Sequence, residues 1–319
     1  MINDEFSLQL TQNVANALLE RITGASSDAL VSEDLDRLRR LVAAGHLSKK
    51  VVRQALHNVA NNEALSAGIR ESAAAEVADD FQATAIKSAN SGEAGLRPYR
   101  SADTLLPTDW PIDRLENCGW TRFTDEQATN FLSDINPVDG RIRVTPRTTA
   151  VHFRPLPWYE SEVLIRVRDP DWQTPNLALY YLSCEKSLMR LNGTAHPIHE
   201  VNAKAPIRLT DLNALDYLRF FCFFVRSDEG PFFIPAGVAD PLLPAASIAV
   251  LSDDAKARLS LAKLMHIDEH GKFRCEATVY YGNALFNADF SVAPTGMIEM
   301  HSDSPICGDL PERIQAPLA

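Results

Sequence analysis

The first proline of this 319-residue chain is Pro98, and all nineteen prolines, four tryptophans, seven tyrosines and five cysteines lie from that position onward. Proline breaks helix interiors, while aromatic residues favour sheets and large cores. The stretch before Pro98 is therefore suited to uninterrupted helices, and the stretch after it to a turn-rich, aromatic fold. A chain of this length exceeds one small core. The reading is α+β: a small N-terminal helical bundle over residues 1–90, a linker over 91–98, and a mainly antiparallel α+β domain over 99–319. That last part divides into a proline-rich entry, 99–146, and a sheet with a central helix, 147–319, ending in a β-meander. Ser88 to Pro98 is small, polar and glycine-bearing, the composition of a connector.

Four helices are predicted in the front block. Phe6, Leu10, Val14, Ala17, Leu18 and Ile22 recur at helical spacing and stop at Gly24. Ser32, ahead of Glu33 and Asp34, predicts the N-cap of a short second helix carrying Leu35, Leu38, Leu41 and Val42 and ending at Gly45. Leu47 and Ser48 open a third, with Val51, Val52, Ala55, Leu56 and Val59 as its apolar set and Asn61 and Asn62 at its end. Leu65, Ile69, Ala73, Val77 and Phe81 form the stripe of a fourth.

The formal net charge is −11, yet no acid occurs between Arg37 and Asn62. That window holds Arg37, Arg39, Arg40, Lys49, Lys50 and Arg53 with His46 and His57. At about 100° per residue, Lys49, Lys50, Arg53, Gln54, His57 and Asn58 fall on one half of helix three, and its apolar set on the other. Arg37, Arg40, Lys49, Lys50, Arg53, Gln54 and His57 are the candidate partner-binding residues. A helix, a turn through Ala44-Gly45-His46-Leu47 and a helix faced with Lys, Arg, Gln and Asn is also the layout of DNA-reading helix-turn-helix proteins. An ordinary hairpin with a solvated basic face has the same pattern, and so does a face that docks on the acidic back domain or an acidic partner.

In the back block Thr124 opens a short helix, Asp125 to Leu132, and strands are predicted over 162–167 and 177–184. Leu188 to Leu191, the turn Asn192-Gly193 and Thr194 onward read as a hairpin. Thr210 is expected to cap an apolar central helix with Leu212, Leu215, Leu218 and Phe221 or Cys222, followed by the turn at Ser227 to Gly230 and a short strand from Pro231. A four-stranded meander follows: 258–267, 273–281, 284–292 and 297–300.

Chemical signals are sparse. His196-Pro197-Ile198-His199-Glu200, after Cys184, offers imidazoles, a carboxylate and a thiol. A metal hydrolase would use His196, His199 and Glu200 together, and a thiol hydrolase would pair Cys184 with a histidine base. In an extended segment the two histidines face opposite sides unless Pro197 bends the chain. His266-Ile267-Asp268-Glu269-His270 matches the letters HxxEH, but spans a strand end and a turn instead of the helix that metal site needs. Trp158 and Tyr159 are candidates for a ligand groove. The chain lacks GxGxxG, GxxxxGK[ST] and GxSxG, which lowers nucleotide, dinucleotide and serine-hydrolase chemistry.

The expectation is a non-enzymatic, cytosolic binding or adaptor protein with no metal or cofactor and a protein partner. A DNA-binding regulator and a Cys- or metal-dependent hydrolase are the alternatives, and the sequence names no small-molecule ligand. The net negative charge disfavours coating of nucleic acid or anionic membrane. Five dispersed cysteines without a CxxC pair suggest a reducing compartment, and the acidic N-terminus does not resemble a secretory signal. The run from Pro231 to Leu251 contains prolines and Asp240, unlike a membrane span.

Overall fold

The computed structural model describes residues 4–43, 47–84, 120–135, 144–145, 147–174, 177–184, 187–205, 207–240, 242–259, 262–314, 316 and 318. The predicted linker 91–98, most of the entry 99–146, and the turn residues Ala44, Gly45 and His46 lie outside these. The chain forms two compact units, one helical and one α+β.

The helical unit holds α1 (Asp4–Gly24), α2 (Asp28–Ala43), α3 (Lys49–Ala60) and α4 (Ala67–Thr84). Its core is Val14, Leu18 and Ile22 of α1, Val31, Leu35, Leu38 and Leu41 of α2, Val51, Ala55, Leu56 and Val59 of α3, with Leu65 and Ala73. Burial of each Val, Leu or Ile contributes about 1.5–3 kcal/mol, so this stripe outweighs any single surface interaction. Helix α3 packs against all three others. Helix α2 begins at Asp28, five residues before the start that a Ser32 cap predicts. Ser32 lies inside it, its hydroxyl donating to the carbonyl of Asp28 at 2.9 Å, while the Asp28 carboxylate accepts from the amide of Ser66 at 3.0 Å. An acid in the first turn satisfies the helix dipole as well as the expected cap would. A buried ion pair ties α1 to α2: Arg21 Nε donates to Asp34 Oδ2 at 2.6 Å.

The α+β unit begins with β1 (Thr121–Arg122) and α5 (Asp125–Asp134). Thr124 caps α5, and its capping box is completed by Gln127. Strands β2 (Ala150–Pro155), β3 (Val163–Arg168), β4 (Leu179–Cys184) and β5 (Ser187–Arg190) complete a sheet of order β1-β2-β3-β4-β5, antiparallel from β2 to β5. Phe131 of α5 meets Tyr181 edge-on, covering one face of that sheet.

Then come α6 (His196–Lys204), α7 (Ala214–Phe224), the short ribbon β6 (Arg226–Ser227) and β7 (Gly230–Pro231), α8 (Ala245–Val250) and α9 (Asp253–Arg258). Last come β8 (Lys263–Ile267), β9 (Phe273–Tyr281), β10 (Ala284–Val292) and β11 (Ile298–Cys307). They pair as an antiparallel meander of order β11-β10-β9-β8. The α+β architecture with a helical front and a terminal meander is as the sequence predicts.

Helix α7 is the centre of this unit, with nine of its eleven residues buried. Phe224 meets Tyr180 of β4 at 5.0 Å between ring centroids. At the other end Tyr217 Oη donates to the carbonyl of Gly296, in the β10–β11 turn, at 2.8 Å. Tyr217 also accepts from Asn202 Nδ2 at 2.9 Å, and Asn202 Oδ1 accepts from Tyr159 Oη at 2.5 Å. This relay ties α6, α7, the β2–β3 connection and the meander together. Trp158 and Tyr159 are 0% and 2% exposed, so they belong to the core and line no groove.

Four boundaries differ from expectation. The residues after Gly193 form α6 instead of a second hairpin strand, because Pro197 sits in the first helical turn, where its missing N–H is not needed. Helix α7 starts at Ala214, with Thr210 to Leu212 in a turn held by Asn213 Oδ1 accepting the Thr210 amide. Arg258 ends α9, whose Ser252 cap accepts from the Ala255 amide, so the first meander strand starts at Lys263. The last strand continues past Met300 to Cys307, carried by backbone pairing through polar residues that give no alternating signal.

Candidate functional site

The predicted binding face lies on α3. Lys49, Lys50, Gln54 and His57 are exposed, and Arg53 and Asn58 are half-buried. Val51, Ala55, Leu56 and Val59 on the opposite side are buried. The first turn of α3 carries two lysines and no acid, and the Ser48 cap makes no side-chain hydrogen bond. Cations at a helix N-terminus oppose its dipole, so this arrangement is not one that helix stability alone would select. Gln54 Nε2 donates to Asn58 Oδ1 at 3.0 Å, and Asn58 Nδ2 donates to Thr23 Oγ1 at 2.8 Å. The amides thus run back along the bundle surface.

The cations of α2 do not extend this face as expected. Arg37 is only 2% exposed and belongs to the interior of the unit, since its position on α2 falls among the buried Asp34, Leu35 and Leu38. Arg39 bonds to Asp36 and to Glu76, each at 2.7 Å. Arg40 is half-buried.

The second candidate is a helix and not the extended segment expected. Winding His196 to Glu200 into α6 places His196 Nε2 3.4 Å from Glu200 Oε2, while Glu200 Oε1 accepts from Lys204 Nζ at 2.7 Å. That lysine lowers the Glu200 pKa. His199 lies against the Phe221 ring, 5.5 Å between centroids, and burial, followed by the neighbouring His196, lowers its pKa. Cys184 is 1% exposed in β4, closed to a substrate. Among the described residues no group of three His, Cys, Asp or Glu side chains is placed to hold a metal. His266 is on β8 and His270 in the following turn. Asp268 between them caps that turn, accepting from the amides of His270 and Lys272 and pairing with Arg274.

A third cluster escaped the sequence reading. On the five-stranded sheet His152 of β2 stands opposite Arg166 of β3, which stands opposite Tyr180 of β4. His152, Arg154 and Arg166 are 6%, 3% and 3% exposed. Beside Tyr180 lies Arg226. Its guanidinium sits over the Phe223 ring, 5.1 Å from the centroid; Nε donates to the carbonyl of Phe223 at 3.2 Å and Nη1 to that of Ala316. Its backbone amide donates to the carbonyl of Gly193 at 2.8 Å. Burial pushes the Arg226 pKa down to about 10, opposed only by Tyr180. The signal that marks this row is the period-two spacing of His152 and Arg154, and of Arg166 and Arg168, in segments otherwise apolar.

No family model, curated protein or solved structure matches the chain. Among the described residues, no helix is long and apolar enough to cross a membrane. Among the described residues, Cys184, Cys222, Cys275 and Cys307 form no disulfide.

Proposed function

We propose that this chain is a non-catalytic, cytosolic binding protein whose helical unit engages an acidic protein surface through α3, with the α+β unit as its scaffold. The observation that carries the reading is the exposed stripe of Lys49, Lys50, Gln54 and His57 on a helix whose other side is fixed in the core. Complementary charge of this kind raises encounter rates and discriminates between partners. An acidic protein is favoured over duplex DNA because Gln54 and Asn58, the amides suited to reading base edges, are directed to each other and to Thr23.

The test uses the full chain, poly-glutamate as the acidic probe and a DNA duplex as its competitor. Binding to poly-glutamate is expected, weakening with salt, and replacing Lys49, Lys50 and Arg53 with Glu is expected to abolish it. The substitutions on this face are expected to cost within about ±0.5 kcal/mol each, so the helical circular dichroism stays as it was. Replacing Lys256 and Lys263 of the α+β unit with Glu is the control that leaves binding intact. Preference for the duplex would move the reading to nucleic acid; binding to neither probe removes it.

A further inference from the structure

We propose that Arg226 anchors an oxyanion-binding site in the α+β unit, which takes a small ligand through a phosphate or carboxylate group. Arg226 leaves the end of α7 at the start of β6 and turns inward, so that its guanidinium packs on Phe223. Its hydrogen bonds end on two main-chain carbonyls, those of Phe223 and Ala316. The third nitrogen, Nη2, is buried and has no hydrogen-bond partner. Among the described residues no carboxylate pairs with Arg226, and its half-buried side chain is met there by main-chain carbonyls. Guanidinium is a rigid fork that matches the two oxygens of a carboxylate or phosphate, and a charge withdrawn from water is stable only with a counter-charge.

Tyr180 lies next to Arg226, and the cross-strand row continues from it to Arg166 and His152. An anion at Nη2 would therefore lie beside Tyr180, at the end of a sheet row that carries Arg166 and His152. The position is preset. The Arg226 amide is fixed to Gly193, whose φ of 92° is the left-handed conformation that glycine adopts without strain. The Ala316 carbonyl stands where one ligand oxygen would lie on Nη1, and a ligand would exchange with it.

The experiment is titration of the full-length protein with inorganic phosphate, and separately with acetate, at ionic strength held constant with sodium chloride. Binding is followed by calorimetry and by the NMR signals of the Arg226 Nε–H and the Arg226 backbone amide. Saturable binding of phosphate or acetate that moves both signals is expected, and the tighter anion identifies which group the ligand carries. Arg226→Gln is expected to weaken it at least tenfold, and Arg226→Lys, which keeps the charge but loses the fork, by less. If Arg226→Gln fails to fold, the wild-type NMR shifts and the Arg226→Lys affinity decide. The proposal is overturned if neither anion binds beyond the chloride control, or if binding leaves the Arg226 signals unmoved or is unchanged in Arg226→Lys. Charge reversal on α3 leaves this binding untouched, so failure here is separable from failure of the partner-binding reading.

Discussion

Gly296 is the residue on which the meander turn meets the central helix, and replacing it with Ala tests the packing of the whole α+β unit. An added Cβ would lie 2.4 Å from Asn202 Nδ2 and 2.5 Å from Tyr217 Oη, nearer than real Cβ atoms come to heavy atoms they are not bonded near. The residue also has φ +81°, where an L side chain costs about 1–2 kcal/mol. To make room, Asn202 and Tyr217 must give up their hydrogen bond or the one from Tyr217 to the Gly296 carbonyl. Leaving one such buried group unsatisfied costs about 1–3 kcal/mol. Gly296→Ala is thus expected to destabilise by about 3 kcal/mol, a large share of the 5–15 kcal/mol typical of a domain. For a unit of this size that lowers the melting temperature by roughly 6–12 °C. Tyr217→Phe alone should cost about 2 kcal/mol, since it takes the donor from the Gly296 carbonyl and leaves Asn202 Nδ2 with only the longer bond to the Thr295 carbonyl, 3.4 Å. In the Gly296→Ala background the same change removes the atom that the new methyl meets, and it should cost little or even stabilise. Urea unfolding of the four proteins gives a coupling energy, expected at about 1–2 kcal/mol. If the two changes add within about 0.5 kcal/mol, the turn does not rest on Tyr217 and the relay is not a unit.

In the helical unit, Asp34→Ala leaves Arg21 buried without its carboxylate and is expected to cost about 3–5 kcal/mol, whereas Arg21→Met with Asp34→Leu recovers most of that loss. Hydrogen exchange read on α1 and α2 checks this, and equal loss in the single and double variants would contradict it. In the meander, the Lys272 amide and then His270 and Arg274 hold the Asp268 carboxyl below its ordinary pKa, against a smaller effect of burial. Because the folded value is depressed, this contribution is present above the unfolded carboxylate range of about 4 and is lost as pH falls through the folded value. Asp268→Asn should therefore be less stable than the wild type near neutrality and converge with it in acid, measured as urea midpoints across pH; a gap independent of pH would refute the linkage.

Strand β10 was legible to the residue from pattern alone, and helix α3 to within one or two residues at each end. Each carries its own period, 3.6 in Lys49–Ala60 and 2 in Ala284–Val292, between turn residues that stop it. The His196 segment was not legible, because a nine-residue helix with proline near its start is held by the burial of Ile198 and Val201 more than by propensity. Arg37 looked like a surface cation for a related reason: a basic window says which residues are charged and not which side of the bundle each one faces.

Local patterning was thus sufficient to set the two kinds of material, the helical front, the α+β back and the polar stripe of α3, since hydrophobic periodicity is a property of neighbours in the chain. Only the tertiary structure decided which charges are withdrawn from water. Arg226 follows an apolar helix and precedes a polar turn; the carbonyl that accepts a hydrogen bond from its Nη1 comes from Ala316, ninety residues along the chain. Burial of a charge depends on what long-range folding lays over it, and no local pattern records that.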